Sequence, residues 1–165
     1  MEVFSKSDIG LVRAQNQDDF RFGVISPSCV WAVVCDGMGG ANGGNIASAT
    51  AVEYISTKIT DLYKDDMTKE QIGELTYEQA QHHPNKNFIT RALGIKPSVR
   101  LDYIEANFIY GDVLLICTDG LSNHVTTGDM VKICHENRGD GLVDKLVGCA
   151  KEGGGTDNIT VTVIY

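Results

Sequence analysis

Apolar and polar positions change rhythm several times along this chain, and each change predicts an element. Residues 19–26 and 29–35 are short runs rich in β-branched and aromatic residues, separated by Ser26-Pro27-Ser28; they predict two strands joined by a turn. The second run ends in Asp36-Gly37-Met38-Gly39-Gly40-Ala41-Asn42-Gly43-Gly44. From Asn45 to Tyr63 the period becomes helical, with Val52, Ile55, Ile59 and Leu62 at spacings of three and four, forming one buried stripe. Asp61 to Gln71 is polar and predicts exposure. Gly73 to His83 predicts a short helix that begins at Thr76 and is stopped by Pro84, with Asn85-Lys86-Asn87 as a loop. Val99–Phe108 and Val113–Cys117 predict strands around the turn Tyr110-Gly111-Asp112. Thr127–His135 and Gly141–Lys151 predict helices, the second with Leu142, Val143, Leu146, Val147 and Ala150 on one face. Gly153-Gly154-Gly155 ends it, and Asn158–Tyr165 alternates as a last strand.

No whole unit repeats, but one short echo does. Val33-Val34-Cys35-Asp36-Gly37 and Leu115-Ile116-Cys117-Thr118-Asp119-Gly120 each read as a buried strand ending in Asp-Gly. Singly, an Asp-Gly pair is foremost a turn former. Together with Asp157 in Thr156-Asp157-Asn158, beside the last strand, the two pairs put aspartates at three strand ends. Strand ends distant in sequence can meet at one edge of a sheet. Carboxylates held that close require a counter-charge. An all-oxygen, aspartate-rich set suits Mg²⁺ or Mn²⁺ rather than Zn²⁺. Two such ions sharing an aspartate activate water and polarise a phosphoryl group, a route to phosphate ester hydrolysis without a nucleophilic side chain.

Composition narrows the alternatives. At 165 residues the chain fits one domain, and 42% apolar with 22% charged residues is ordinary for a globular protein. Fourteen basic against 22 acidic residues give a net charge of −8, which disfavours a phosphate backbone as partner; no nucleic acid is expected. No apolar run approaches the roughly 18 residues of a membrane span, so no membrane association is expected. Met1-Glu2-Val3-Phe4-Ser5-Lys6 shows no signal-peptide pattern. The five cysteines, Cys29, Cys35, Cys117, Cys134 and Cys149, form no C-x-x-C pair and are odd in number, against a zinc site or disulfide framework. Together these features predict a cytoplasmic protein. Nor does any cysteine have an arginine six residues on, as a cysteine phosphatase would require.

A phosphate-directed site needs a cation for the substrate. Arg13, in Gly10-Leu11-Val12-Arg13-Ala14-Gln15-Asn16-Gln17-Asp18, is the candidate, because arginine grips phosphate bidentately; its bland reading is a solvated surface residue. His124, five residues beyond Asp119, could touch the site. His82 and His83 read as surface residues and His135 as structural. Strand–Gly37-x-Gly39–helix also resembles a dinucleotide-binding turn. Asn42 stands where its third glycine belongs, however, and Asp36 stands where pyrophosphate would approach.

Taken in order, Gly10-x-Val12-Arg13-x-x-Asn16-Gln17-Asp18, Val34-Cys35-Asp36-Gly37-Met38-Gly39-Gly40, the stretch from Gly73 through His82-His83-Pro84 to Thr90-Arg91-Ala92-Leu93-Gly94, Leu115-Ile116-Cys117-Thr118-Asp119-Gly120-Leu121, and Gly155-Thr156-Asp157-Asn158-Ile159-Thr160-Val161 resemble a known family. It is that of the metal-dependent protein serine/threonine phosphatases of the protein phosphatase 2C type, in bacterial form. The resemblance implies an α+β fold, a four-layer αββα sandwich of two antiparallel sheets flanked by helices. It implies two Mn²⁺ or Mg²⁺ ions, with a third possible in the complete domain. By position Asp36 would bridge both ions and the Gly37 carbonyl would bind one. Asp119 and Asp157 would complete the other, Asp18 would act through water, and Arg13 would hold the substrate phosphate, with Asn158 in support. The activity implied is hydrolysis of phosphoserine and phosphothreonine by metal-activated water. The protein would be a monomer in signalling, acting on phosphoproteins of a serine/threonine kinase. The alternative is a non-catalytic, phosphatase-like binding or regulatory module.

The chain departs from the family pattern in three places. Ala41 and Asn45 stand where a histidine and a glutamate are usual. More seriously, the family's central block, with its Gly-Thr-Thr and Gly-Asp-Ser-Arg motifs, is missing between about Ile72 and Gly73 of the single 1–165 phosphatase domain. Either residues belong there that the sequence does not carry, or the block is deleted. A deletion would open the core at a cost beyond the roughly 5–15 kcal/mol a domain has in hand, which favours the first reading. On that reading Ile72 and Gly73 should lie much farther apart than the about 3.8 Å of bonded neighbours.

Overall fold

A computed structural model describes residues 1–38, 43–62, 104 and 106–165. The join at Ile72–Gly73, the expected helix at 73–83 and the polar stretch before it lie outside the described residues. The chain divides into two compact units, Met1–Asp61 with Tyr110–Tyr165, and Leu62–Ile109. The first holds the elements that follow, up to the last residue of α1.

Those elements are β1 (Val3–Asp8), β2 (Asp19–Ser26), β3 (Cys29–Cys35), α1 (Gly44–Leu62), β4 (Leu114–Cys117), α2 (Asp119–Ser122), α3 (Thr127–Glu136), α4 (Gly139–Glu152) and β5 (Ile159–Ile164). The fold is α+β. One antiparallel sheet has the order β1-β5-β4, and β2 and β3 form a second. The two sheets meet through β1 against β2 and β3 against β5, and α4 covers β1 and β5. Among the described residues no helix is long and apolar enough to cross a membrane.

The β2–β3 hairpin and β5 fall close to where the pattern places them. So do α3 and α4, whose five apolar positions are all buried. In α3 the Thr126 hydroxyl accepts from the Asp129 backbone N–H at 3.2 Å, a side-chain N-cap. The core gathers Leu121, Leu142, Leu146, Ile159, Val161 and Val163.

Four differences are instructive. β1 escapes the pattern because its inward positions are serines. Ser5 and Ser7 pair with Thr162 and Thr160 in register, hydroxyl to hydroxyl at 2.8 and 2.7 Å. β5 alternates apolar and polar residues yet is buried on both faces, because those threonines have partners inside. In α1 the buried line runs through Ser48, Val52 and Ser56. The Ser56 hydroxyl donates to the Val52 carbonyl at 2.5 Å, so the serine occupies the stripe with its polar group satisfied. Finally, within the expected strand Val99–Phe108, the described positions 104 and 106–108 are not strand. The turn at Tyr110-Gly111 is present, with Gly111 at φ 100°.

Candidate active site

Each candidate aspartate sits at the mouth of a strand. Asp18 precedes β2, Asp36 follows β3, Asp119 opens α2 just after β4, and Asp157 precedes β5. The surroundings of these carboxyls bear most on Asp36 and Asp18. Although Asp36 keeps a solvent-facing side, the protein around its carboxyl, then the charges of Asp18, Asp119 and Asp157, raise its pKa from 3.8 to about 6. Arg13 opposes this shift. Burial also raises Asp18, with Asp157 and Asp119 adding to the shift, while bonds from Thr160 and Thr118 pull it back.

The two Asp-Gly pairs are not turns. Neither Gly37 nor Gly120 has positive φ, and Gly120 lies within α2. Glycine is required by close approach instead. A Cβ on Gly37 would stand 2.2 Å from the Gln17 carbonyl oxygen, and one on Gly120 would stand 1.9 Å from that of Asn158. Each pair therefore presses its glycine against the backbone beside another candidate: Gly37 beside Asp18, Gly120 beside Asp157. Gly10, at φ 81°, does the same, with its Cβ position 2.2 Å from the Asp157 carbonyl oxygen. The echo in the sequence is a packing device that brings the acidic segments together.

Side chains complete the frame. Asn158, 5% exposed, donates from Nδ2 to the carbonyls of Ile9 (2.9 Å) and Gln15 (3.0 Å) and accepts at Oδ1 from the Gln17 N–H (2.8 Å). It thus fastens the whole Arg13 loop to the Asp157 segment. Thr118 Oγ1 donates to Asp18 Oδ2 at 2.8 Å and accepts from the Thr160 N–H at 2.9 Å. Ser48 of α1 donates to the Gln17 carbonyl at 2.6 Å. Asn158, Thr118 and Ser48 carry no chemistry of their own. The family resemblance names Asn158 as a supporting residue and includes Thr118 in a motif without a role, whereas Ser48 has no signal in the sequence.

Arg13 lies among the acids, its Nη2 donating to Asp157 Oδ2 at 2.7 Å. His124 bonds to the Gly153–Thr156 loop, and His135 is an exposed residue of α3. His82 and His83 lie outside the described residues. Among the described residues no three His, Cys, Asp or Glu side chains form a ready-made metal cage. The donor set itself, aspartate oxygens with an unrelieved excess of negative charge, fits a hard divalent cation.

A pH dependence follows. A carboxyl whose pKa rises on folding contributes stability fully below its unfolded pKa and loses it as pH climbs through the folded value. Between about pH 4 and pH 6 the metal-free protein should lose melting temperature relative to its Asp36→Asn variant. Parallel melting curves of the two proteins across that window would count against the coupling.

Comparisons with known proteins bear on the family and the fold. The family model described as "Protein phosphatase 2C" matches residues 12–96. A "Serine/threonine phosphatase stp" of Listeria innocua is 39% identical over 93 residues, which are 56% of this chain and 37% of the Listeria protein. The matched stretch thus spans little more than a third of that relative's length. The fold resembles a Streptococcus agalactiae serine/threonine phosphatase structure, with TM-score 0.76 and 24% identity over 99% of this chain and 98% of that one. It also resembles the catalytic domain of the phosphatase PstP in complex with two manganese ions, with TM-score 0.72 and 22% identity over 98% and 96% of the two chains. The family match takes in Arg13, Asp18, Asp36 and Gly37 and more than half of the chain, and on that ground the chain belongs to the protein phosphatase 2C family.

Proposed function

We propose that this chain hydrolyses phosphoserine and phosphothreonine in proteins at a centre for two divalent cations. The observation that carries the reading is geometric: four aspartates on four separate segments are brought together by the close approach of Gly37, Gly120 and Gly10 and by the bonds of Asn158 and Thr118, with Arg13 bonded to one of them. The family membership supports it, as does the manganese bound by a protein of the same fold. Asp36, Asp119 and Asp157, with the Gly37 carbonyl, would hold Mn²⁺ or Mg²⁺, and Asp18 would act at one remove. The metals would supply Lewis-acid polarisation of the phosphoryl group and a more acidic water. Arg13 would leave Asp157 to take the phosphate oxygens through its guanidinium fork. Asp18, held by Thr118, would orient water by accepting its proton in a hydrogen bond. A cytoplasmic phosphoprotein made by a serine/threonine kinase would be the substrate.

The test is Mn²⁺-dependent hydrolysis of p-nitrophenyl phosphate and of a phosphothreonine peptide, abolished by chelator and restored by Mn²⁺. No turnover with any divalent cation would leave the binding-module reading. Within an active protein, Arg13→Ala should raise KM by about tenfold while kcat changes little, the size of one lost charge-assisted pair. An unchanged KM would remove Arg13 from the phosphate.

A further inference from the structure

Asp119 and Asp157 come from separate segments. Asp157 follows Gly153-Gly154-Gly155, of which Gly154 and Gly155 have positive φ (128° and 50°), and backbone hydrogen bonds tie this loop to the end of α4 and to Leu11. Asp119 starts a helix of four residues. One side chain spans the two segments. His124, just beyond that helix, contacts Gly153 and Thr156 with both ring nitrogens: Nδ1 lies 3.1 Å from the Gly153 carbonyl, and Nε2 lies 2.8 Å from Thr156 Oγ1 and 3.3 Å from the Thr156 backbone N.

The backbone partners fix the proton. A carbonyl only accepts and an amide N–H only donates. Both contacts are met when Nδ1 carries the hydrogen and donates to Gly153 while Nε2 turns its one lone pair to Thr156, shared between the backbone N–H and the hydroxyl. The loop also packs on the ring: a Cβ on Gly154 would stand 3.4 Å from His124 Cε1, and one on Gly153 would stand 3.2 Å from His124 Cβ.

We propose that His124, as the neutral Nδ1–H tautomer, is a positioning residue: it staples the segment after Asp119 to the glycine loop before Asp157 and so sets the separation of the two carboxylates and their affinity for a divalent cation. This rests on the two-cation reading above. Its effect would resemble that of other outer partners of metal ligands, whose loss weakens metal binding roughly 10–100-fold.

Two measurements decide it, neither of them turnover. Imidazole ¹⁵N shifts of the metal-free protein should show His124 protonated at Nδ1 alone; protonation at Nε2 alone would overturn the proposal whatever the protein does. Mn²⁺ titration calorimetry should show His124→Ala binding about tenfold more weakly than wild type. His124→Gln, which keeps a donor and an acceptor side by side, should recover most of the loss. His124→Ala affinity within twofold of wild type would overturn the staple, and equal losses in both variants would overturn the bonding pattern. Wild-type protein that binds Mn²⁺ but hydrolyses nothing would refute the phosphatase reading and leave the staple standing. Wild type that binds no Mn²⁺ would refute both.

Discussion

Asp36→Asn should lower turnover by at least about a thousandfold while making the metal-free protein more stable. The loss of rate follows from the role proposed for Asp36, which would help to hold the cations. Removing a group that stabilises transition-state charge costs on the order of 10²–10³ in kcat even for a single hydrogen-bond donor. The gain in stability follows from the raised pKa: ionised Asp36 is disfavoured by the protein packed around one side of its carboxyl and by Asp18, Asp119 and Asp157, and the isosteric amide removes that charge. Opposite signs for activity and stability are the mark of a site organised against its own fold. The measurements are steady-state kinetics in saturating Mn²⁺ and melting at pH 7 with chelator. A variant that is less stable than wild type, or one that keeps a tenth of the turnover, would contradict the assignment.

The second large effect is predicted at a residue without a side chain. Gly120→Ala would place a methyl group 1.9 Å from the Asn158 carbonyl oxygen, a backbone atom that cannot swing aside. Relief requires α2 to move off β5, although the packing of α2 on that strand includes Leu121, at 0% exposure. Overpacking of this kind costs about 3 kcal/mol or more, a large part of the roughly 5–15 kcal/mol of a typical domain. Urea titration should show the midpoint fall accordingly, and because Asn158 adjoins Asp157, Mn²⁺ affinity should fall with it. A near-neutral Gly120→Ala would mean that the two segments are not pressed together.

Much of this was legible before any coordinates. The hairpin of β2 and β3, the apolar face of α4 and the last strand follow from periodicity, because their buried positions are hydrophobic and their breaks are Ser-Pro-Ser and triple glycine. The Asp-Gly echo singled out glycines that the structure does not use for the turn each pair suggests by itself. Their missing Cβ serves backbone contact, and contact between distant segments leaves no local signal. β1 and the middle of α1 were hidden because serine fills interior positions there, its hydroxyl satisfied by a threonine across the sheet or by the helix's own carbonyls. His124 was visible only as a nearby histidine. Its partners are a glycine carbonyl and a threonine amide nearly thirty residues away or more, which no spacing rule reaches.

β1 and β4 both pair with β5, and the backbones of Glu2 and Tyr165 exchange hydrogen bonds of 2.7 and 3.1 Å. During synthesis this arrangement imposes an order of events. β1 waits for residues 159–164 to be made before it has that neighbour, and Asp157, the last of the four acids, emerges only just ahead of them. Contacts of such sequence separation form slowly. A nascent chain of this protein would therefore display unpaired edges, with no competent cation centre, until translation has passed β5. Its dependence on chaperones should be greatest in that interval, and the proposed phosphatase activity should appear abruptly rather than in stages as the chain lengthens.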